Sequence, residues 1–514
     1  MLDFASKVRG RGDHPYGDDE ALASLAQAFR APAREPAEGQ NEKCVVIPKA
    51  VPTTVTLDVL KYPRTEAGFA DCLADTVGRN VRFDHARNRW LLWDDVRWRP
   101  DATGEVERRA RDAARQVQRA ANEIQDTDTR QAVFNWAVAF EYSNRLHGAI
   151  SFFKTHERVA SDGSEFDRDP MLLGVQNGVV DLKTGTFREG RREDHLTMSL
   201  GVAYDPQAAC PRWERFLREV FDGDDDLIAF VQRAVGYTLS GSTVEQVFFL
   251  LHGLGANGKT VLLNTLAALF GAYGATADFS TFLVDKHRAG GSATPDLTAL
   301  IGKRFVSARE TDDGARFSAS RVKTLTGSDP IAARELYGRR VFAFCPAFKC
   351  WLATNHKPII RDDSFATWRR VRLVPFAVSF AGREDRNLET DLRSELSGIL
   401  NWSLTGCRAW QRDGLGTPRA VEVATETYRV ESDVLADFLD EHIVPDATAK
   451  SSAREVFGAY QRWALARGEQ PMSQQGLGRA LTERGFPRTK RKTGWFYDGL
   501  RVSVETIDVD APGW

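Results

Sequence analysis

No apolar run in these 514 residues reaches the roughly 20 needed to cross a bilayer. The N-terminus has no signal-peptide core either, so neither a membrane segment nor export is expected. Six cysteines (Cys44, Cys72, Cys210, Cys345, Cys350, Cys407) lie scattered without a C-x-x-C pair. That argues against a zinc site or a disulfide framework and fits a reducing cytoplasm. Charge of one sign is not in excess: 69 Lys plus Arg against 71 Asp plus Glu leave −2. A surface for nucleic acid must then be local rather than a field over the whole protein. What is present, 42% hydrophobic and 27% charged residues, is the composition of a soluble globular protein. The length exceeds one ordinary core, so about two to four domains are expected.

The most informative stretch is Val247 to Phe270. Val247-Phe248-Phe249-Leu250-Leu251 is an apolar run of buried-strand length, and Gly253-Leu254-Gly255-Ala256-Asn257-Gly258-Lys259-Thr260 fits G-x-x-x-x-G-K-[ST]. From Val261 to Phe270 the spacing predicts a helix that stops at Gly271. Strand, glycine loop and helix are the setting of a phosphate-binding P-loop. Backbone N–H groups turn inward around phosphate oxygens, and the helix N-terminus adds its positive end. Lys259 would reach the β- and γ-phosphates of ATP, and the Thr260 hydroxyl would ligate Mg²⁺.

Before that loop, residues 1–60 read as a flexible arm punctuated by glycine and proline. Residues 61–210 read as mixed α and β. They hold a helix from Glu66 to Val77, a hairpin turning at Asp94-Asp95, and an arginine-bearing helix from Glu105 to Glu123. A second hairpin, Leu172 to Leu182, is expected to turn at Asn177-Gly178. Residues 211–243 are helical, and the aspartates from Asp222 to Asp226 read as a solvated turn and helix start.

Beyond the loop, Lys303 to Arg309 is a short β-prone run that ends at Glu310. A carboxylate at a strand's C-terminal end beside a P-loop is what Mg²⁺ and an attacking water require, so Glu310 is the candidate catalytic acid, with Asp312 and Asp313 as substitutes. Next come Lys323-Thr324-Leu325-Thr326-Gly327-Ser328-Asp329-Pro330-Ile331-Ala332-Ala333-Arg334 and, further on, the strand Phe348 to Thr354 ending at Asn355. The segment Trp368-Arg369-Arg370 follows. The order and wording of these motifs resemble the superfamily 3 helicases of the AAA+ class, specifically the helicase portion of phage and plasmid primase-helicases. Satellite-phage and poxvirus primase-helicases are relatives. Gly253 to Thr260 resembles the family's Walker A motif, Glu310 its Walker B position, and Lys323 to Tyr337 its B′ region. Leu352 to Asn355 resembles motif C, with Asn355 as sensor 1, and Trp368 to Arg370 the arginine-finger segment. Ser328 stands where the family usually has a second glycine, and one acid ends the Walker B run where many members show two.

The resemblance implies an α/β multidomain chain. A central AAA+ P-loop ATPase (244–380) would follow the mixed α+β domain, with a helical extension (381–430) and a winged-helix-like domain (431–514) after it. It implies an ATP- and Mg²⁺-dependent DNA helicase for replication of a phage, prophage, plasmid or satellite element. Such an enzyme translocates 3′ to 5′ on single-stranded DNA and unwinds forked DNA, as a homo-oligomeric ring, a hexamer in the family. Lys259, Glu310 and Asn355 would act in one subunit, with Arg369 or Arg370 supplied by its neighbour. ATP would be bound by Gly253, Leu254, Gly255, Ala256, Asn257, Gly258, Lys259, Thr260 and Val261, and the metal by Thr260 and Glu310. Lys323, Arg334, Tyr337, Arg339 and Arg340 combine cations with an aromatic, the means of tracking a single strand. In the C-terminal domain, three helices and a two-stranded hairpin carrying Lys490, Arg491 and Lys492 would grip duplex phosphates. No paired strand acids with a histidine suit nucleotidyl transfer. A separate primase or polymerase is therefore the expected partner, in the host cytoplasm. The alternative is a replication initiator or loader that assembles on an origin without processive unwinding.

Overall fold

The computed structural model describes residues 57–283, 294–309, 316–334, 341–360, 364–467, 471–491 and 494–503. Helix α1 (Glu66–Thr76) starts where Thr65 Oγ1 accepts from Gly68 N at 3.1 Å, and it buries Phe69 and Leu73. Strands β1 (Val81–Asp84), β2 (Arg89–Trp93) and β3 (Trp98–Pro100) form an antiparallel meander, with Asp95 at φ +72° in the expected turn. Helices α2 (Glu105–Ala121), α3 (Thr127–Val138) and α4 (Ser143–Phe153) follow, and β4 (Ala160–Ser161) pairs parallel to β1. On α2, Val106, Ala110, Ala113, Ala114 and Val117 face inward, while Arg108, Arg111, Arg115 and Arg119 are solvated. These elements share one core that includes Phe69, Leu92, Val117, Phe140 and Phe153.

The next hairpin, β5 (Leu172–Val175) and β6 (Gly178–Asp181), turns one residue earlier than expected. Gly178 pairs with Val175 as the first residue of β6, so Gln176 and Asn177 make the turn. Strand β7 (Thr186–Arg188) completes this sheet. Helix α5 (Pro211–Val220) has proline at its first position, and α6 (Asp225–Leu239) is capped by Asp224, whose Oδ1 accepts from Leu227 N at 2.9 Å.

Strand β8 (Phe248–His252), helix α7 (Lys259–Phe270), β9 (Gly274–Thr276), the one-turn α8 (Pro295–Thr298) and β10 (Phe305–Arg309) come next. Helix α9 (Ala319–Thr326), the antiparallel pair β11 (Ile331–Arg334) and β12 (Val341–Phe344), and β13 (Lys349–Thr354) follow. The one-turn α10 (Phe365–Trp368) then leads into β14 (Val371–Pro375). Five of these strands make a sheet in the order β14-β8-β13-β10-β9, with every neighbouring pair parallel. Its central strands are mostly apolar because both faces are covered. Phe249, Leu251, Trp351 and Val374 pack with α5, α6 and α7, whereas Phe248, Leu250, Val306 and Leu352 pack with Phe317, Leu325 and Trp368. Each such side chain contributes about 1.5–3 kcal/mol by leaving water. At the opposite end of the sheet from the glycine loop, two buried basic side chains satisfy the carbonyls at and just after the end of α6. Arg304 donates to Leu239 O and to Leu172 O (2.7 Å), and Lys349 donates to Ser240 O.

Helices α11 (Leu388–Ser394) and α12 (Leu396–Asp413) return across α7 and α6, and α13 (Arg419–Glu431) lies along β14. The C-terminal elements are α14 (Val434–His442), β15 (Ile443–Ser452), α15 (Ala453–Ala466), α16 (Gln474–Glu483), β16 (Arg488–Arg491) and β17 (Gly494–Val502). They enclose their own core of Phe438, Val456, Tyr460, Leu477, Leu481 and Leu500. The expected two-stranded hairpin is a three-stranded sheet, β15-β17-β16, because residues 443–452 pair with β17. Among the described residues, Cys72, Cys210, Cys350 and Cys407 are buried free thiols, and no helix is long and apolar enough to cross a membrane.

Candidate functional site

Parallel strands deliver their C-terminal ends to one edge of the sheet, and ligands of open α/β sheets bind beyond that edge. At this edge β8 ends in His252, β13 in Thr354 and β10 in Arg309. Between β8 and α7 the loop 253–258 reverses the chain with Gly255, Ala256 and Gly258 at φ +109°, +43° and +87°. A run of residues in this region turns successive N–H groups toward one point, the form of an anion nest. Two glycines are required for packing as well. A Cβ on Gly253 would lie 2.3 Å from Phe376 O, and one on Gly258 would lie 2.6 Å from Val220 Cγ1. The loop is tied from outside: Phe380 N donates to Ala256 O at 2.7 Å, and Asn257 Nδ2 to Phe376 O at 3.3 Å.

Lys259, the first residue of α7, is buried, and its three ammonium donors meet three acceptors. They are Gly253 O, Asn257 Oδ1 (3.1 Å) and Asn355 Oδ1 (3.0 Å). Burial lowers its pKa from the usual lysine value. His252, at the mouth of the loop, is lowered too, first by burial and then by Lys357 and Lys259. Thr260 is solvent-exposed in the first turn of α7, and Leu254 at the loop tip is 90% exposed. The site thus joins a tightly turned glycine loop, a lysine, an exposed hydroxyl and an amide from the end of the adjacent strand. That set can hold a polyanion and orient a small polar molecule beside it.

Glu310, Asp312 and Asp313 lie outside the described residues, which reach Arg309 at the end of β10 on this same edge. Arg369 and Arg370 sit elsewhere, just before β14, whose Val371 pairs with Phe248 at the start of β8. Arg370 is buried and donates to Thr326 Oγ1 at 3.2 Å and to Ala366 O at 2.5 Å; burial, then Arg369, lowers its pKa. Arg369 is exposed. Both donate to Gln246 Oε1, at 2.5 Å and 3.2 Å. Gln246 is not among the residues the sequence singles out. Its partners are 123 and 124 positions away, and no local pattern marks it.

Of the candidate DNA contacts, Lys323 is half-buried on α9, with Nζ 3.4 Å from Ser364 Oγ. Arg334 ends β11, held through its backbone by Thr294. Tyr337, Arg339 and Arg340, between β11 and β12, lie outside the described residues, as does Lys492. Lys490 and Arg491 are exposed on β16. Beside them Arg488 stacks 4.3 Å over the Trp495 ring, and Arg491 lies 3.6 Å from Asp498.

Residues 70–222 match the family described as "D5 N terminal like", and residues 251–370 match a "Family of unknown function (DUF5906)". The chain is 27% identical over 370 residues to "Putative helicase L207/L206" of Acanthamoeba polyphaga mimivirus, covering 66% of this chain and 38% of that protein. It is 26% identical over 385 residues to "Putative helicase 022R" of Frog virus 3, covering 59% and 40%. To "Putative primase C962R" of African swine fever virus it is 24% identical over 322 residues, covering 58% and 33%. The chain therefore spans well under half the length of the curated relatives it matches. The solved apo structure of the NrS-1 C-terminal region covers 85% of this chain and 99% of that chain, at 12% identity and a TM-score of 0.47. In class this is a mixed α/β multidomain protein built round a parallel sheet and its glycine loop. Its relatives are viral proteins named as putative helicases and putative primases.

Proposed function

We propose that the chain is the motor part of a replicative DNA helicase, an AAA+ ATPase of superfamily 3 that works as a ring on DNA. The observation that carries this reading is the Lys259 ammonium, held between the glycine loop and Asn355 of the adjacent parallel strand, 3.0 Å from Oδ1. Hydrolysis needs charge neutralised on the γ-phosphate and a water aligned with it. The loop N–H groups and Lys259 bind and orient the phosphates, and Asn355 positions the water. Glu310 takes the water's proton. Thr260 and Glu310 would hold Mg²⁺, which supplies further neutralisation of the phosphates when bound. Arg369 of a neighbouring copy completes the charge, while Arg370 serves inside its own subunit. Lys323, Arg334, Tyr337, Arg339 and Arg340 contact the single strand. The order helix, strand, two helices and hairpin from 434 to 502 supports a winged-helix domain whose Lys490, Arg491 and Lys492 meet duplex phosphates. The host cytoplasm is its place of work.

Hydrolysis and unwinding of a forked duplex, measured side by side, test this. Lys259→Ala is expected to lower ATP turnover on the order of 100-fold or more. Glu310→Gln should keep nucleotide binding and stall turnover. A Glu310→Gln protein hydrolysing at the parental rate moves the acid to Asp312 or Asp313. Hydrolysis without strand separation turns the reading to an initiator or loader.

A further inference from the structure

Gln246 holds a backbone conformation that glutamine seldom takes, with φ at +53°, in the region that glycine enters freely. Its surroundings over-determine that turn. Gln246 N donates to Thr243 O at 3.0 Å, and the neighbouring Glu245 N donates to Tyr237 OH at 3.3 Å. Glu245 Oε1 accepts from Trp410 Nε1 at 2.8 Å, and Phe248 N donates to Arg370 O at 2.9 Å. Such a residue, kept where a side chain is costly, draws attention to what that side chain does. Its Oε1 accepts from Arg369 and from Arg370 at once. Arg370 is fixed independently by Thr326 and Ala366. Among the described residues, the Gln246 oxygen is the one acceptor found for the exposed Arg369 guanidinium. A neutral amide suits the place: it orients a cation without cancelling its charge, as a carboxylate would.

We infer that Gln246 is a positioning residue, whose amide oxygen sets the Arg369 guanidinium in the orientation presented to the ATP site of a neighbouring copy. The inference rests on the reading of Arg369 as a group acting in trans. It also means that one strand, β8, carries the phosphate loop at one end and the support of the outgoing arginine at the other.

Subunit mixing of the full chain separates this inference from the reading beneath it. Gln246→Gly removes the amide and keeps the turn, since glycine adopts its φ without strain. Alone, it is expected to lower kcat on the order of 10- to 100-fold with KM for ATP unchanged. Gln246→Glu, which keeps an acceptor oxygen in place, should recover part of that loss. Mixed one to one, Lys259→Ala and Arg369→Ala should regain ATPase activity, because some seams pair an intact loop with an intact arginine. Lys259→Ala mixed with Gln246→Gly should regain it equally. Gln246→Gly mixed with Arg369→Ala should not. If the first mixture stays inactive, the trans reading fails. If it recovers while the Gln246→Gly and Arg369→Ala mixture recovers as well, Gln246 does not act through Arg369 and the inference is overturned. A parental kcat for Gln246→Gly overturns it too.

Discussion

Arg369 and Arg370 share an acceptor in Gln246, yet only Arg370 also has a buried hydroxyl and a helix carbonyl to satisfy. Truncating Arg370 removes donors from Thr326 and Ala366 inside the subunit and the packing of its stem, a loss of about 2 kcal/mol. Truncating the exposed Arg369 should change stability by no more than about 0.5 kcal/mol. Catalysis is expected to reverse this ranking. Arg369→Ala should keep the parental melting temperature and lose ATPase activity on the order of 10³-fold, the scale of a missing arginine finger. Arg370→Ala should melt several degrees lower. Melting curves read beside ATPase rates check both, and an Arg369→Ala protein of parental rate would exchange the two roles. The adjacent pair stands out in the sequence, but the difference in its surroundings does not. That difference depends on Thr326 and Gln246, 44 and 123 positions away, which no local pattern connects to them.

Elements that carry their own boundary signals were legible from sequence. The apolar run of β8, the glycine loop and α7 are each marked locally, as are the three C-terminal helices, α15 and α16 opening on Ser452 and Ser473 and α14 on Asp433. Strand β15 was missed because Pro445-Asp446-Ala447-Thr448-Ala449-Lys450 has neither alternation nor β-branched density. It is an edge strand with a register shift between Pro445 and Lys450, and edges tolerate both proline and irregular pairing. Helix α13 shows what only tertiary contact reveals. Its Thr425 Oγ1 accepts from Leu373 N at 3.1 Å, and its Glu431 pairs with Lys357 at 2.6 Å. Tyr428 donates to Pro358 O and packs edge-on against Trp368, with ring centroids 5.2 Å apart. One helix therefore braces the segment after Asn355 and the turn that precedes Arg369. Tyr428→Phe removes only the hydroxyl and should cost about 1 kcal/mol. Tyr428→Ala should cost about 3–5 kcal/mol. Denaturant unfolding of the two variants checks the order, and equal loss in both would mean that ring packing contributes nothing here.

Across the whole molecule, the decisive distance is the length of β8. Lys259 follows its C-terminal end, and Arg369 is anchored through Gln246 and Val371 beside its N-terminal end. Five strand residues span roughly 17 Å, well beyond the reach of an arginine side chain anchored at the far end. Arg369 therefore cannot complete the charge at the loop of its own chain, and in the proposed ring a second copy would bring one. Phe365, 78% exposed on the one-turn helix just before Arg369, is an apolar side chain at the place where such a seam would close. Turnover per chain is accordingly expected to rise with protein concentration through the range in which assembly occurs. In light scattering with a non-hydrolysable ATP analogue, Mg²⁺ and forked DNA, the parent should appear as a closed ring, six copies on the family's pattern. Phe365→Ala should shift both the assembly midpoint and the turnover curve to higher concentration by the same factor. Arg369→Ala should assemble like the parent and remain inactive at every concentration. A chain that stays monomeric under all these conditions and still hydrolyses ATP at a concentration-independent rate would mean that its positive charge comes from another group of the same chain, and the trans reading of Arg369 would fail.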